Sequence, residues 1–368
     1  MPTPTRTSIV LGWFFLFSSS MLQAQGTFPA GKAVDRAVMV EMQRQHLVGV
    51  SIGIIRGGKV VYTRGYGFAD LPNRRPVTEA SIFNWASNSK PVIAIAAMQL
   101  VQADRLDLDE PIAAYLPDLP QSMSVLTTRQ LLCHQSGIPH YSNGKVVRSG
   151  KSIDAMAELD PLYSIHRFLN SPLIFEPGSR TDYSSYAYVL LSAVIQAADK
   201  KPISQQLKHR IVEPLKLRSF QLDVPYQGQE NWVTSYKYYN SRPLPVEDYA
   251  HYWKHGAGGY KSDVRDFARF AVGLIGHELV SSETTRMMWT PQKTSDGQTS
   301  SYGLGFVVQG DGERLKISHN GSQYETKTRM VIYPNQKHGV VVMCNTSPCD
   351  VGKISTTIYT AIKTAQEE

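Results

Sequence analysis

The chain has 368 residues, 42% of them hydrophobic and 19% charged, a balance that excludes a disordered chain or a collagen-like repeat and leaves room for one large domain or two ordinary ones. A net charge of +7 and a pI near 9.1 allow attraction to acidic polymers. The lysines and arginines are scattered without a basic run or nucleic-acid motif, so no nucleic-acid partner is expected.

Residues 1–24 carry Arg6, then an apolar run at 9–17, then small or polar residues to Ala24. That order predicts a secretory signal peptide and a secreted or periplasmic mature chain of 25–368. Leu22 does not fit the small residue expected three positions before the cut, so the cleavage point stays open. The apolar stretch is about ten residues, short of the ~20 needed to cross a bilayer. No second long apolar run follows, and stable membrane insertion after processing is not expected.

Apolar spacing predicts a helix over 31–46, through Val34, Val38 and Met42. Strand-like runs at 48–55 and 59–67 flank Arg56-Gly57-Gly58, a good hairpin turn. Residues 91–103 read as a buried helix. From about 105 to 300 the pattern is short helices and turns, broken by prolines. Strands are expected again at 302–309, 314–319, 326–333 and 339–344, and a helix at 351–364. The predicted fold class is therefore α+β. An antiparallel sheet (31–84 and 300–368) is flanked by the terminal helices and carries a mostly helical insertion (85–299).

The cysteines are three: Cys133, Cys344 and Cys349. Cys133 fits a core position, and no Cys/His group has zinc-site spacing. In an oxidising compartment Cys344 and Cys349 can pair, or remain two thiols near a strand end.

Several short patterns imitate catalytic motifs. Gly49-Val50-Ser51-Ile52-Gly53 spells a nucleophile elbow, but Ser51 lies inside a strand rather than on a strand-to-helix turn. Gly53 to Lys59 resembles a phosphate loop, yet Val60 replaces the required Ser/Thr and a strand follows. His251 and His255 stand four apart with no third ligand nearby and no H-E-x-x-H motif, so a structural or cleft-lining role is favoured over a metal.

A Ser and a Lys three residues apart at a helix start have a chemical use. They share a face, so the amine can take the hydroxyl's proton, and the helix N-terminus favours developing negative charge. Two S-x-x-K patterns occur. Ser142-Asn143-Gly144-Lys145 sits in a polar stretch with no apolar helix after it. Ser87-Asn88-Ser89-Lys90 is followed by Pro91 and the buried helix, and proline belongs in a first helical turn. Ser87 and Lys90 are the candidate nucleophile and its partner.

The flanking sequence resembles the serine β-lactamase-related family, which includes class C β-lactamases, D-alanyl-D-alanine carboxypeptidases, D-aminopeptidases and esterases. The resemblance runs from about 33 to 360. It covers Trp85-Ala86-Ser87-Asn88-Ser89-Lys90-Pro91, Leu131-Leu132-Cys133-His134-Gln135-Ser136-Gly137-Ile138-Pro139, Glu176-Pro177-Gly178, Gly258-Gly259-Tyr260-Lys261-Ser262 and Tyr302-Gly303-Leu304-Gly305-Phe306. It implies a β-lactamase/transpeptidase-like fold that uses no metal or organic cofactor. The family's Tyr-x-Asn motif matches Tyr183-Ser184-Ser185, making Tyr183 a third catalytic candidate with a phenol lowered by the lysine cation. Whether Lys90 or Tyr183 is the base stays open. Ser185 replaces an amide with a shorter hydroxyl, which weakens the case for β-lactam hydrolysis. The third motif matches His319-Asn320-Gly321, a histidine charged only below roughly pH 6.5 where β-lactamases carry lysine. With Ser185 and Ser322 these residues form the expected substrate-binding set, and the backbone N–H groups of Ser87 and Ser322 the implied oxyanion hole. The expected substrate is a small molecule or peptide of amide or ester type, with cell-wall peptides one source. The rival is a catalytically silent relative that binds such peptides.

Overall fold

A computed structural model describes residues 28–150, 159–240, 242–247, 251–323 and 326–367; the expected signal peptide at 1–24 lies outside them. The predicted hairpin is present as β1 (Gly49–Arg56) and β2 (Lys59–Asp70), with β3 (Arg75–Pro76) following. Gly57 and Gly58 have φ of 55° and 71°, the left-handed pair a two-residue hairpin turn requires. The C-terminal strands are β4 (Val307–Gln309), β5 (Lys316–Gln323), β6 (Thr326–Tyr333) and β7 (His338–Cys344). They join the hairpin in one antiparallel sheet, ordered β3-β2-β1-β7-β6-β5-β4. The two ends of the chain meet at β1 and β7, where Val50 opposes Cys344 and Ile54 opposes Val340.

The period of two assigns alternate residues to two cores. Val50, Ile52, Ile54, Val340 and Val342 face the terminal helices α1 (Gly31–Gln45) and α5 (Val351–Glu367), meeting Val34, Val38, Ile354 and Ile358. Asp35 fastens α1 to β2 by accepting from Tyr62 (2.5 Å), Arg64 (2.6 Å) and Tyr66 (2.8 Å). Val341, Met343, Met330 and Ile317 belong to the larger core beneath the other face. Its centre is α2 (Ser89–Gln102), with α3 (Ser185–Asp199) packed beside it. Nearly every side chain of α2 is buried, as an all-round apolar helix requires. Helix α4 (Val264–Ile275) falls inside the 85–299 segment yet packs on the sheet, Val264 and Ala268 lying against Gly53. The α+β architecture with terminal helices over one sheet face is the one expected.

Three expectations change in detail. The strand expected at 302–309 shrinks to Val307–Gln309, because Gly303 N–H turns back onto Phe306 O at 2.9 Å. The strand expected to stop at 319 continues through Asn320, Gly321 and Ser322, held in register by β6 down to Gln323 opposite Thr326. Two small three-stranded sheets also form, one from Phe83–Asn84, Gln221–Leu222 and Tyr260–Ser262, the other from Tyr236–Tyr239, Arg242–Pro245 and Thr346–Ser347. Segments this short carry no readable period. All three cysteine thiols are free, and Cys349 lies in hydrogen-bonding contact with Cys344, which with burial raises its thiol pKa.

Candidate active site

Two helix N-termini converge on one cleft. Ser87 lies in a 3-10 turn, Ala86–Asn88, that runs directly into α2, and Lys90 is in the first turn of that helix. Tyr183 and Ser185 straddle Ser184, which caps α3 by accepting from Ala187 N–H. The third wall is β5. Beyond Ser318 the strand has outrun β4, so residues 319–323 offer an edge that no strand among the described residues pairs with, beside Ser87. The cleft holds about 400 Å³ and is lined by Ser87, Tyr183, Ser185, His319, Asn320 and Ser322, among others.

Lys90 is fully buried. Its Nζ donates to Ala257 O at 2.7 Å and lies 3.1 Å from both Ser87 Oγ and Ser185 Oγ. The Tyr183 and Tyr188 rings stand 4.8 and 5.6 Å from it. Burial, followed by the positive charge of Lys254, holds the Lys90 pKa well below the usual lysine value. A neutral amine has two N–H donors and one lone pair; Ala257 O takes one donor, leaving the lone pair able to accept the Ser87 proton.

Tyr183 departs from expectation. Burial raises its pKa, followed by the Tyr302 phenol, while Ser87 and Ser185 pull it down. Burial thus outweighs the lowering expected from the lysine, and the phenol stays protonated. His319 is also corrected. It is buried, its Nδ1 lies 2.8 Å from Asn320 O, and burial followed by Lys90 lowers its pKa to about 3, so it is neutral across physiological pH. Ser185, though shorter than an amide, still reaches Lys90.

Gly321 is the point of closest approach: a Cβ there would collide with Trp85 O and the Thr328 hydroxyl and come within 3.1 Å of Ala86 Cβ. Thr328 donates to Trp85 O at 2.8 Å. The buried Asn88 amide, turned to face nitrogen to His319 O (3.1 Å) and oxygen to Gly321 N–H (3.2 Å), ties the turn carrying Ser87 to β5. Ala86 itself has φ of 48°, unusual for a residue with a side chain, and Asn84 Oδ1 accepts its N–H at 2.6 Å. Asn84 Nδ2 donates to buried Asp223 at 2.6 Å, and Asp223 pairs with Lys261 at 2.8 Å.

The decoys lie elsewhere. Ser51 is buried in β1, its hydroxyl 3.4 Å from Arg64 O, and Ser142 and Lys145 stand exposed in a non-helical loop. His251 and His255 are both buried at the segment carrying Ala257. Among the described residues no three His, Cys, Asp or Glu side chains are grouped to hold a metal ion. Sequence reasoning did not find His140, Tyr141, Lys254 or Tyr302, which also line the cleft. His140 Nδ1 accepts from Ser185 N–H at 3.2 Å, and burial followed by Lys90 lowers its pKa to about 4. They come from three segments far apart in sequence, the adjacent pair His140-Tyr141, Lys254 in Tyr252–Ala257, and Tyr302, and only the Ser-Lys spacing carried a local signal.

The chain matches the Beta-lactamase family over residues 34–361. It is 27% identical over 304 residues to penicillin-binding protein 4* of Bacillus subtilis, an alignment spanning 78% of this chain and 66% of that protein. Among solved structures it superposes on EstCE1, a hydrolase with promiscuous acyltransferase activity, with a TM-score of 0.77 and 21% identity, covering 91% of this chain and 98% of that one. The D-amino acid amidase of Ochrobactrum anthropi SV3 gives 0.76 and 24%, covering 92% and 99%. At these identities the two superpositions speak for fold alone.

Proposed function

From the premise that the chain belongs to the Beta-lactamase family, we propose that it is an exported serine hydrolase that cleaves an amide or ester through an acyl-Ser87 intermediate. The observation that carries this reading is the Ser87 Oγ–Lys90 Nζ separation of 3.1 Å, with a lysine whose buried setting favours the neutral amine. Ser87 Oγ attacks the acyl carbon while its proton passes to Lys90. The backbone N–H groups of Ser87 and Ser322 stabilise the oxyanion, and the α2 N-terminus adds favourable potential. Tyr183, protonated beside Ser87, gives its proton to the leaving group as the carbonyl reforms and is reprotonated from Lys90 through the Ser185 hydroxyl, which resets the amine. Water then enters by the same route in reverse and releases the acid. His319, Asn320 and Gly321 present the β5 edge along which an extended substrate lies.

D-amino-acid peptides, small esters and β-lactams are the substrate classes, in that order. Export rests on the leader-like residues 1–24. The test is a turnover panel of D-Ala-D-Ala peptides, p-nitrophenyl acetate and nitrocefin. Wild type is expected to hydrolyse at least one, and Ser87→Ala to lose that activity by at least about 10³-fold. A folded wild type inert toward all three, or turnover that survives in Ser87→Ala, contradicts the proposal.

A further inference from the structure

Ser87 and Lys90 stand at the start of one helix, but the groups that fix them come from elsewhere in the chain. Ala257 O, which accepts from Lys90 Nζ at 2.7 Å, ends the segment Tyr252–Ala257. That segment is kinked at His255, whose φ of 40° is unusual for a residue with a side chain. A Cβ at Gly256 would collide with Ile93, so the segment lies directly against α2. The turn carrying Ser87 holds a second such residue, Ala86 at 48°. Backbone of this kind persists only where its surroundings over-determine it.

One side chain reaches both segments. Asp223 follows the short strand Gln221–Leu222 and is fully buried. Its Oδ2 accepts from Asn84 Nδ2 at 2.6 Å and from His251 N–H at 3.2 Å. Its own backbone N–H donates to Gly259 O at 2.8 Å. His251 and Gly259 flank the stretch that presents Ala257 O, so Asp223 holds that stretch at both ends. Asn84 passes the remaining bond on to the Ala86 N–H at 2.6 Å. The other carboxylate oxygen, Oδ1, pairs with buried Lys261 Nζ at 2.8 Å, so the negative charge is neutralised where it stands.

We propose that Asp223 is a positioning residue that sets the Ser87–Lys90 geometry from two sides. Through Asn84 it fixes the turn carrying Ser87, and through His251 and Gly259 it fixes the carbonyl that orients Lys90. This rests on the serine hydrolase reading and deepens it. The role belongs to the hydrogen-bond geometry of the side chain, not to its charge. An asparagine at 223 has a single acceptor oxygen. With that oxygen kept on Asn84 and His251, its NH2 group turns onto the Lys261 ammonium. Reversed, the NH2 group faces two other donors. Either orientation breaks one side, and removing the Lys261 charge lets the first orientation stand.

The experiment follows turnover of the panel substrate that wild type hydrolyses, together with the rate at which a fluorophosphonate labels Ser87. Variants are compared once their near-UV circular dichroism matches that of wild type. Asp223→Asn is expected to lower kcat at least about tenfold while KM changes less than about threefold, with labelling slowed in parallel. Adding Lys261→Met to Asp223→Asn is expected to recover most of that loss, although the carboxylate is still missing. In an Asn84→Ala background, Asp223→Ala is expected to lower kcat further, because the bond to His251 remains to be lost. Three results overturn the proposal: an unchanged kcat in Asp223→Asn, no recovery on adding Lys261→Met, or no further loss once Asn84 is gone. Should Asp223→Ala not fold, Asp223→Asn with and without Lys261→Met decides the matter. A wild type that turns over no panel substrate and takes no label sinks the hydrolase reading itself, an outcome distinct from an active enzyme indifferent to Asp223.

Discussion

At the scale of single residues, the site is defined by which group holds a proton before substrate arrives. Lys90 and Tyr183 share one buried space, and burial acts on them in opposite directions: it disfavours an ammonium and a phenolate alike. Burial thus favours amine plus phenol as the resting pair, the state in which the proposed base can accept and the proposed acid can donate. The sequence left that choice open because a Tyr and a Lys seen as letters carry no dielectric. The rate is expected to fall as pH drops and Lys90 takes a proton, with a midpoint well below that of an ordinary lysine. Lys254 is the second cause of the low Lys90 value, so Lys254→Met is expected to move that acidic limb to higher pH. Lys90→Met should lower kcat by about 10²–10⁴-fold, the usual worth of a positioned base. Profiles of kcat/KM against pH on a neutral ester check both. An acidic limb that vanishes in Tyr183→Phe while Lys90→Met stays active reverses the assignment.

At the scale of elements, the Ala86–Asn88 turn that carries Ser87 is held by groups that the motif does not contain. A residue with a side chain at positive φ costs about 1–3 kcal/mol and persists only where its surroundings insist on it. Here the insistence comes from Asn84, backed by Asp223 and Lys261, and from β5 closing over the turn at Gly321. Asn84→Ala is expected to lower kcat more than about tenfold as the turn relaxes. Ala86→Gly introduced into that background should recover part of the loss, since glycine adopts positive φ without support. Strictly additive effects in this double-mutant cycle would contradict the role given to Asn84. None of this was legible in the sequence. Asn84 and Asp223 are 139 residues apart, and the strands that bring them together, Phe83–Asn84, Gln221–Leu222 and Tyr260–Ser262, are two or three residues long. The Ser-Lys pair was legible because its geometry is local: three residues of spacing, then Pro91 and a buried helix.

At the scale of the whole molecule, the two ends of the chain build one sheet and the middle builds the opposite wall of the cleft. Hairpin, terminal helices and late strands were readable because each has a long, regular apolar period and well-marked turns. The strand length at β5 was not, because its continuation through Asn320-Gly321-Ser322 is fixed by pairing with β6 rather than by its own composition. The contributions of His140, Tyr141, Lys254 and Tyr302 were hidden for the same reason: their position depends on how irregular segments pack against α2 and α3. What the fold achieves is to bring a hydroxyl at 87, an amine at 90 and a phenol at 183 to one enclosed point. The direct measurement is intact-mass and peptide-level mass spectrometry after exposure to a fluorophosphonate and to a labelled penicillin. One adduct per chain is expected with at least one of these reagents, on the peptide containing Ser87, absent from Ser87→Ala and strongly slowed in Lys90→Met. A folded protein that stays unmodified by both, or an adduct on another residue that persists in Ser87→Ala, would contradict a nucleophile at Ser87.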